Sequence, residues 1–217
     1  ERTISDAFEQ SSSGKSLVNM MDLDLLVGSG GVLSHAPRRQ QSARMLIDSF
    51  MPEGITQLAV DSIFMMPQLG VLANIDNEEL KDDASQAALE VFDNDCLIRL
   101  GTCVSPVGKV KPKSKMAQVS LTFKDGSTKE IEILEGSLEM LEVPYEEVKV
   151  HIVPSRGVDI GAGKGEPVDS IIYGGVVGLI FDGRNRPITL SADPSERIDS
   201  LLNWSSAVDE YPKGDLF

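Results

Sequence analysis

The chain has 217 residues with 34 acidic against 20 basic side chains, a formal net charge of −14. That balance repels nucleic acid and anionic membrane surfaces, so neither is an expected partner. A chain this long can bury about 70% of its unfolded surface, enough for one large domain or two small ones, and two are expected. No apolar run reaches the roughly 18 residues that span a bilayer. Cys96 and Cys103 are too few and too far apart for a structural zinc site, and reduced thiols point to the cytoplasm. The start, Glu1-Arg-Thr-Ile-Ser-Asp, has neither an initiator Met nor a signal-peptide core and reads as a cut.

Residues 1–20 are polar, with Ser11 to Lys15 as a spacer. Gly14-Lys15-Ser16 resembles the end of a P-loop, but Glu9 stands where the upstream glycine belongs. Leu25, Leu26 and Val27 form a short apolar run, expected to be a strand buried on both faces. Gly28, Gly30 and Gly31 then remove three side chains within four residues, so a ligand or another backbone can come close. Ser34 as N-cap and Pro37 in the first turn predict a helix whose Ala43, Leu46, Ile47 and Phe50 face the sheet. Strand, glycine turn and helix together make a candidate binding turn at the carboxyl end of a strand. Leu33 occupies the place of the third glycine of a dinucleotide fingerprint, which excludes that reading. A tight turn with no ligand remains the alternative.

Beyond Pro52-Glu-Gly54, Gln57 to Val60 is expected to be a second short strand closed by Asp61. Ile63 to Leu72 predicts a short helix broken or restarted at Pro67, with Met65 and Met66 as core filler. Asp76 and Glu79 form a capping pattern for a helix whose stripe of Leu80, Ala84, Ala87, Ala88 and Val91 is expected to pack on the sheet. Leu97 to Val104 is extended, and Pro106 with Lys109, Lys111, Lys113 and Lys115 marks a linker or exposed edge. From Ala117 the period changes to two. A hairpin turning at Asp125-Gly126, an alternating run of Val148, Val150 and Ile152, and a further strand from Val176 to Phe181 predict a small β domain. Asp193-Pro194 should cap a last helix with Ile198, Leu201 and Leu202 as its narrow apolar face. Gly157 to Gly165 reads as a mobile loop and His151 as a surface residue. No nucleophile–base arrangement and no metal-ligand cluster is legible, so no catalytic residue and no metal site is assigned.

The segments Gly28-Ser-Gly-Gly-Val-Leu-Ser-His-Ala-Pro37, Pro52-Glu-Gly-Ile-Thr56, Leu58 to Pro67, Leu69-Gly-Val-Leu72, Asp95 to Gly101 and Gly174 to Pro187 together resemble the glutamate mutase accessory family, glutamate mutase L. It is a branch of the actin-like ATPases and is unrelated to the mismatch-repair protein with a similar short name. The resemblance implies the C-terminal portion of an actin-like (ribonuclease H-like) α/β ATPase domain over residues 1–105, the adenosine side, followed by a mainly-β domain with a C-terminal helix over 106–217. It also implies an ATP-dependent, cytoplasmic reactivating factor that releases damaged cobalamin from an adenosylcobalamin-dependent mutase, glutamate mutase or a related amino mutase. ATP, with Mg2+ in the complete protein, is the implied cofactor. ATP or ADP and the mutase subunit are the implied partners, and the complete protein is implied to be a slow ATPase whose present stretch is inactive alone. By the same resemblance Gly28, Ser29, Gly30 and Gly31 would contact the nucleotide, with His35 or Arg38 near the position that stacks on adenine. A metabolite kinase and a non-hydrolysing scaffold of the mutase are the rival readings. Val158-Asp-Ile-Gly-Ala-Gly163 is locally similar to a phosphate hairpin of that superfamily but lies after the glycine turn, where the superfamily places such hairpins before it.

Overall fold

A computed structural model describes residues 18–74 and 81–211. The expected N-terminal spacer and the Asp76–Glu79 cap with Leu80 lie outside the described residues. The architecture is mixed α/β, in three layers.

The middle layer is a five-stranded sheet. It begins with β1 (Leu25–Gly28), which runs parallel to β2 (Gly54–Asp61) at the sheet edge. Leu25 is 42% exposed. The apolar run therefore marks an edge strand covered on one side, where burial on both faces was expected. Two short helices follow β1: α1 (Gly31–Ser34) and, after a break at His35–Arg38, α2 (Arg39–Phe50). Arg38 is the N-cap of α2, so Ser34 ends the first helix and does not cap the second. After β2 come α3 (Met66–Ala73), with Pro67 in its first turn, and α4 (Lys81–Val91). A π-turn at Phe92–Cys96 leads into β3 (Leu97–Ser105), antiparallel to β2.

The chain then builds a second sheet. β4 (Val107–Gly108) pairs with β9 (Val158–Asp159), while β5 (Lys115–Thr122), β6 (Thr128–Leu134), β8 (Glu147–Pro154) and β10 (Val168–Tyr173) form an antiparallel sheet in the order β10-β8-β5-β6. Its hairpin turns around Asp125-Gly126 as expected. β8 alternates strictly between exposed and buried positions. β7 (Leu138–Leu141) and β11 (Gly178–Asp182) belong elsewhere: β11 runs parallel to β3 and antiparallel to β7, which gives the first sheet the order β1-β2-β3-β11-β7. The strand expected over Val176–Phe181 thus completes the α/β sheet and not the β domain, and the first sheet draws strands from both sides of residue 105. A buried backbone approach permits the junction, since a Cβ on Gly101 would stand 1.8 Å from the carbonyl oxygen of Gly178.

Each face of the five-stranded sheet has its own core. Ala43, Leu46 and Ile47 of α2 pack on Leu58, Val60, Leu100 and Ile180, together with Trp204 and Val208. On the opposite face Val104, Leu179 and Phe181 pack against Val119, Leu121, Val148, Val150 and Ile152 of the second sheet. α5 (Pro194–Ala207) is capped by the Asp193 carboxylate, which accepts from the N–H groups of Ser195 and Glu196. Two of the three residues of its expected apolar face are turned outward, Ile198 being 54% and Leu201 39% exposed, while Leu202 is half-buried and the helix docks through Trp204. Likewise α4 packs on α3, with Leu69, Ala88 and Cys96 as a separate small core, and not on the sheet.

Candidate functional site

β1 and β2 are parallel, so their carboxyl ends open on the same edge of the sheet. There the turn Gly28–Gly31 faces the turn Asp61–Met65. The two are tied through Asp61, whose side chain is fully buried. Its carboxylate oxygens accept the N–H groups of Met65 at 3.2 Å and Met66 at 3.1 Å, and Ser29 Oγ lies 3.3 Å from Oδ2. Ser34 Oγ donates to the Asp61 carbonyl at 2.7 Å. The carboxylate therefore serves as acceptor for the start of α3 and fixes the glycine turn at once.

The three glycines have different surroundings. A Cβ on Gly28 would meet Leu33 at 2.7 Å and Leu46 at 2.8 Å, so Gly28 is there for close helix–strand packing. Gly30 has φ +117°, a conformation that L side chains rarely adopt, and nothing lies within 4 Å of its Cβ position. Gly31 is also open, its nearest neighbour being Phe64 Cζ at 4.0 Å. Ser29, Gly31 and His35 are exposed. His35 stands edge-on to Phe64 with ring centroids 6.0 Å apart, and Val32 is 73% exposed beside them. Open backbone next to an exposed ring pair is a surface on which a flat, partly apolar ligand can rest. Ser29, Gly30, Gly31 and His35 are brought together. Arg38 is held apart in an ion pair with Asp209 beyond the end of α5.

In the Gly157–Gly165 loop three glycine N–H groups are already taken. The Asp159 carboxylate accepts from Gly161 at 2.8 Å and Gly163 at 3.0 Å, and the Val158 carbonyl accepts from Gly165 at 2.8 Å. His151 is exposed and paired with Asp169 across the strands, as its outward position predicts.

Sequence reasoning missed a buried ion network at the end of β11. The Asp182 carboxylate, fully buried, accepts from Arg184 Nε at 2.9 Å and Nη2 at 2.8 Å and from Arg186 Nη2 at 3.1 Å. Arg184 also lies 2.8 Å from Asp48 of α2 and stacks over the Trp204 ring. Burial pushes the Asp182 carboxyl up, but the Arg184 hydrogen bonds and the two guanidinium charges outweigh it and hold the group below its ordinary range. The available signal was Asp182-Gly-Arg-Asn-Arg186, an acid and two bases within five residues. In the fold they fasten α2, β11 and α5 to one another.

Residues 4–89 match the family model described as MutL protein. No curated protein and no solved structure matches the chain. No helix among the described residues is long and apolar enough to cross a membrane.

Proposed function

From the membership of residues 4–89 in the MutL family, which is the glutamate mutase L accessory family, we propose that this chain serves an adenosylcobalamin-dependent mutase by taking ATP or ADP at the glycine turn. The accessory role follows from the family; the nucleotide and its position are the proposal. The observation that carries it is the open position at Gly30, where a Cβ would have no neighbour within 4 Å, on the edge where parallel β1 and β2 end.

The residues present fit the adenosine part of such a ligand. Gly30 and Gly31 let it approach the main chain, Ser29 offers a hydroxyl, and His35 with Phe64 offers ring surface. Gly28 and Arg38 act from behind, one by packing α2 against β1 and the other by anchoring the start of α2 to Asp209. When bound, ATP supplies the free energy by which one conformer of the accessory protein is favoured over another, provided ATP and ADP bind the two unequally. Release of damaged cobalamin from the mutase is the use proposed for that difference.

Gly31→Val is the clean test. No strained φ forbids a side chain and the nearest atom to a Cβ there is Phe64 Cζ at 4.0 Å, so the fold should be kept while the approach path is filled. Calorimetric titration of the chain with ATP and ADP should show about tenfold weaker binding in the variant, with an unchanged thermal midpoint. Wild-type protein that binds neither nucleotide, or equal affinity in the variant, would refute the reading.

A further inference from the structure

β6 and β7 follow one another in the chain but edge different sheets, since β6 ends the order β10-β8-β5-β6 and β7 ends the order β1-β2-β3-β11-β7. The turn at residues 135–137 joins them. There Gly136 N–H donates to the Gly183 carbonyl, and a Cβ on Gly183 would stand 2.0 Å from the Leu134 carbonyl oxygen. The two sheets therefore meet at this corner. Along the rest of β6 a groove of about 380 Å³ separates the two edges, with Ile131, Leu141 and Phe181 among the residues that line it.

The main chain of β6 decides what the groove can take. Phe123 N–H donates to the Ser127 carbonyl at the hairpin. Antiparallel alternation then directs Lys129, Ile131 and Ile133 to β5 and turns the N–H and C=O groups of Glu130 and Glu132 to the free edge. Among the described residues no strand pairs with that edge. Another extended main chain is what offers donors and acceptors at this spacing. Side chains narrow the choice. Ile131 and Ile133 face the core, so Lys129 points the same way, at the mouth of the groove. Among the described residues no hydrogen bond or ion pair holds it. An apolar strand would cover that ammonium unpaired, whereas an acid opposite Lys129 would pair it. A second copy does not fit. Each antiparallel register that joins the free groups of both Glu130 and Glu132 sets one of them opposite a glutamate of the other copy, and like charges directly opposite repel.

We infer that the β6 edge is a docking site for an extended segment of a partner protein, which adds antiparallel to β6 and lengthens the second sheet by one strand. Its main chain pairs with Glu130 and Glu132. The residue opposite Ile131 is apolar and enters the groove toward Leu141 and Phe181, the residue opposite Lys129 is acidic, and those opposite Glu130 and Glu132 are Lys or Arg. Backbone pairing supplies the affinity, and these four side chains supply the specificity. The inference does not depend on nucleotide binding.

The test is fluorescence anisotropy with labelled peptides of about eight residues, one strand's length, built on Lys-Val-Lys-Glu to lie opposite Glu132 back to Lys129. The parent peptide should bind the chain. The same peptide N-methylated at both lysines, whose N–H groups would face β6, should not bind, while one N-methylated at Val and Glu should. Leu in place of the peptide's Glu should weaken binding. Glu132→Pro removes a main-chain donor of the free edge and leaves the β5 pairs in place. It should bind the parent peptide about tenfold more weakly than Glu132→Gln, which loses the same charge and keeps the donor. The methylated peptides test the wild-type protein and stand without either variant. Equal binding of the lysine-methylated peptide would mean bare attraction to an acidic protein and would overturn the assignment. So would equal binding by the Pro and Gln variants, no loss with Leu, no binding by the wild type, or wild-type self-association that Glu132→Pro abolishes.

Discussion

Ser34 Oγ donates a 2.7 Å hydrogen bond to the carbonyl of Asp61, which joins the helix after the glycine turn to the end of the neighbouring strand. Both residues are buried. The Asp61 side chain completes the junction by accepting from Met65 and Met66, so the two turns that bound the candidate site move as one. Asp61→Asn keeps the shape but replaces one acceptor oxygen with a donor facing an N–H. The expected cost is about 2 kcal/mol, together with loss of nucleotide affinity. Urea unfolding and a nucleotide titration on the same variant check both, and an unchanged urea midpoint would contradict the role given to Asp61.

The junction of β3 and β11 makes a sharper demand. Gly101 has φ +136°, and its Cβ position lies 1.8 Å from the Gly178 oxygen. Gly101→Ala must push the two parallel strands apart in the middle of the sheet. A loss of about 3 kcal/mol or more is expected, since backbone strain and overpacking act together. Thermal denaturation should show it, and a midpoint within about 1 °C of wild type, well under the shift expected for even 1 kcal/mol, would contradict this geometry.

Local patterns in the sequence foretold what local physics decides. The period-two runs became β5 and β8, Asp125-Gly126 became a hairpin turn, and Asp193-Pro194 capped α5. Pairing between distant segments was not legible. Nothing in Gly178–Asp182 says that it lies beside β3, because a fully buried strand reads the same in either sheet. The face of α5 was misjudged for a related reason: Trp204, with its N–H donated to the Gly136 carbonyl at 2.9 Å, outweighs Ile198 and Leu201. In the candidate site, glycine spacing located the turn but could not separate Gly28, which packs, from Gly30, which is open. That difference depends on where Leu33 and Leu46 end up.

The buried carboxylate of β11 predicts a pH dependence. Asp182 is held below its ordinary value in the folded chain, whereas in the unfolded chain it titrates near about 3.9. A lowered folded value contributes stability that is present above about pH 4 and is lost as pH falls through the folded value. Asp182→Asn should therefore be less stable at pH 7 by about 3 kcal/mol, because it leaves the buried Arg186 without its anion and Arg184 with Asp48 alone. The gap between variant and wild type should narrow below about pH 4. Urea midpoints at pH 7, 4 and 3 test this, and a gap that stays constant would contradict it.

Cys103 is fully buried on β3, and burial together with the nearby Asp182 pushes its thiol up to about 12. A group so seldom ionised at neutral pH is a poor nucleophile. With Cys96 also buried, native protein should resist thiol-specific disulfide reagents at pH 8 and react at two positions once unfolded. Rapid labelling of the native chain would contradict the packing of β3.

The most direct test of the nucleotide assignment is an NMR titration of the isotopically labelled chain with ATP, read at the backbone amides. The account predicts that Ser29, Gly30, Gly31 and His35 shift together and saturate on one binding curve, while Gly161, Gly163 and Gly165 stay in place. Shifts confined to the Gly157–Gly165 loop, or none at the glycine turn at saturating ATP, would contradict it.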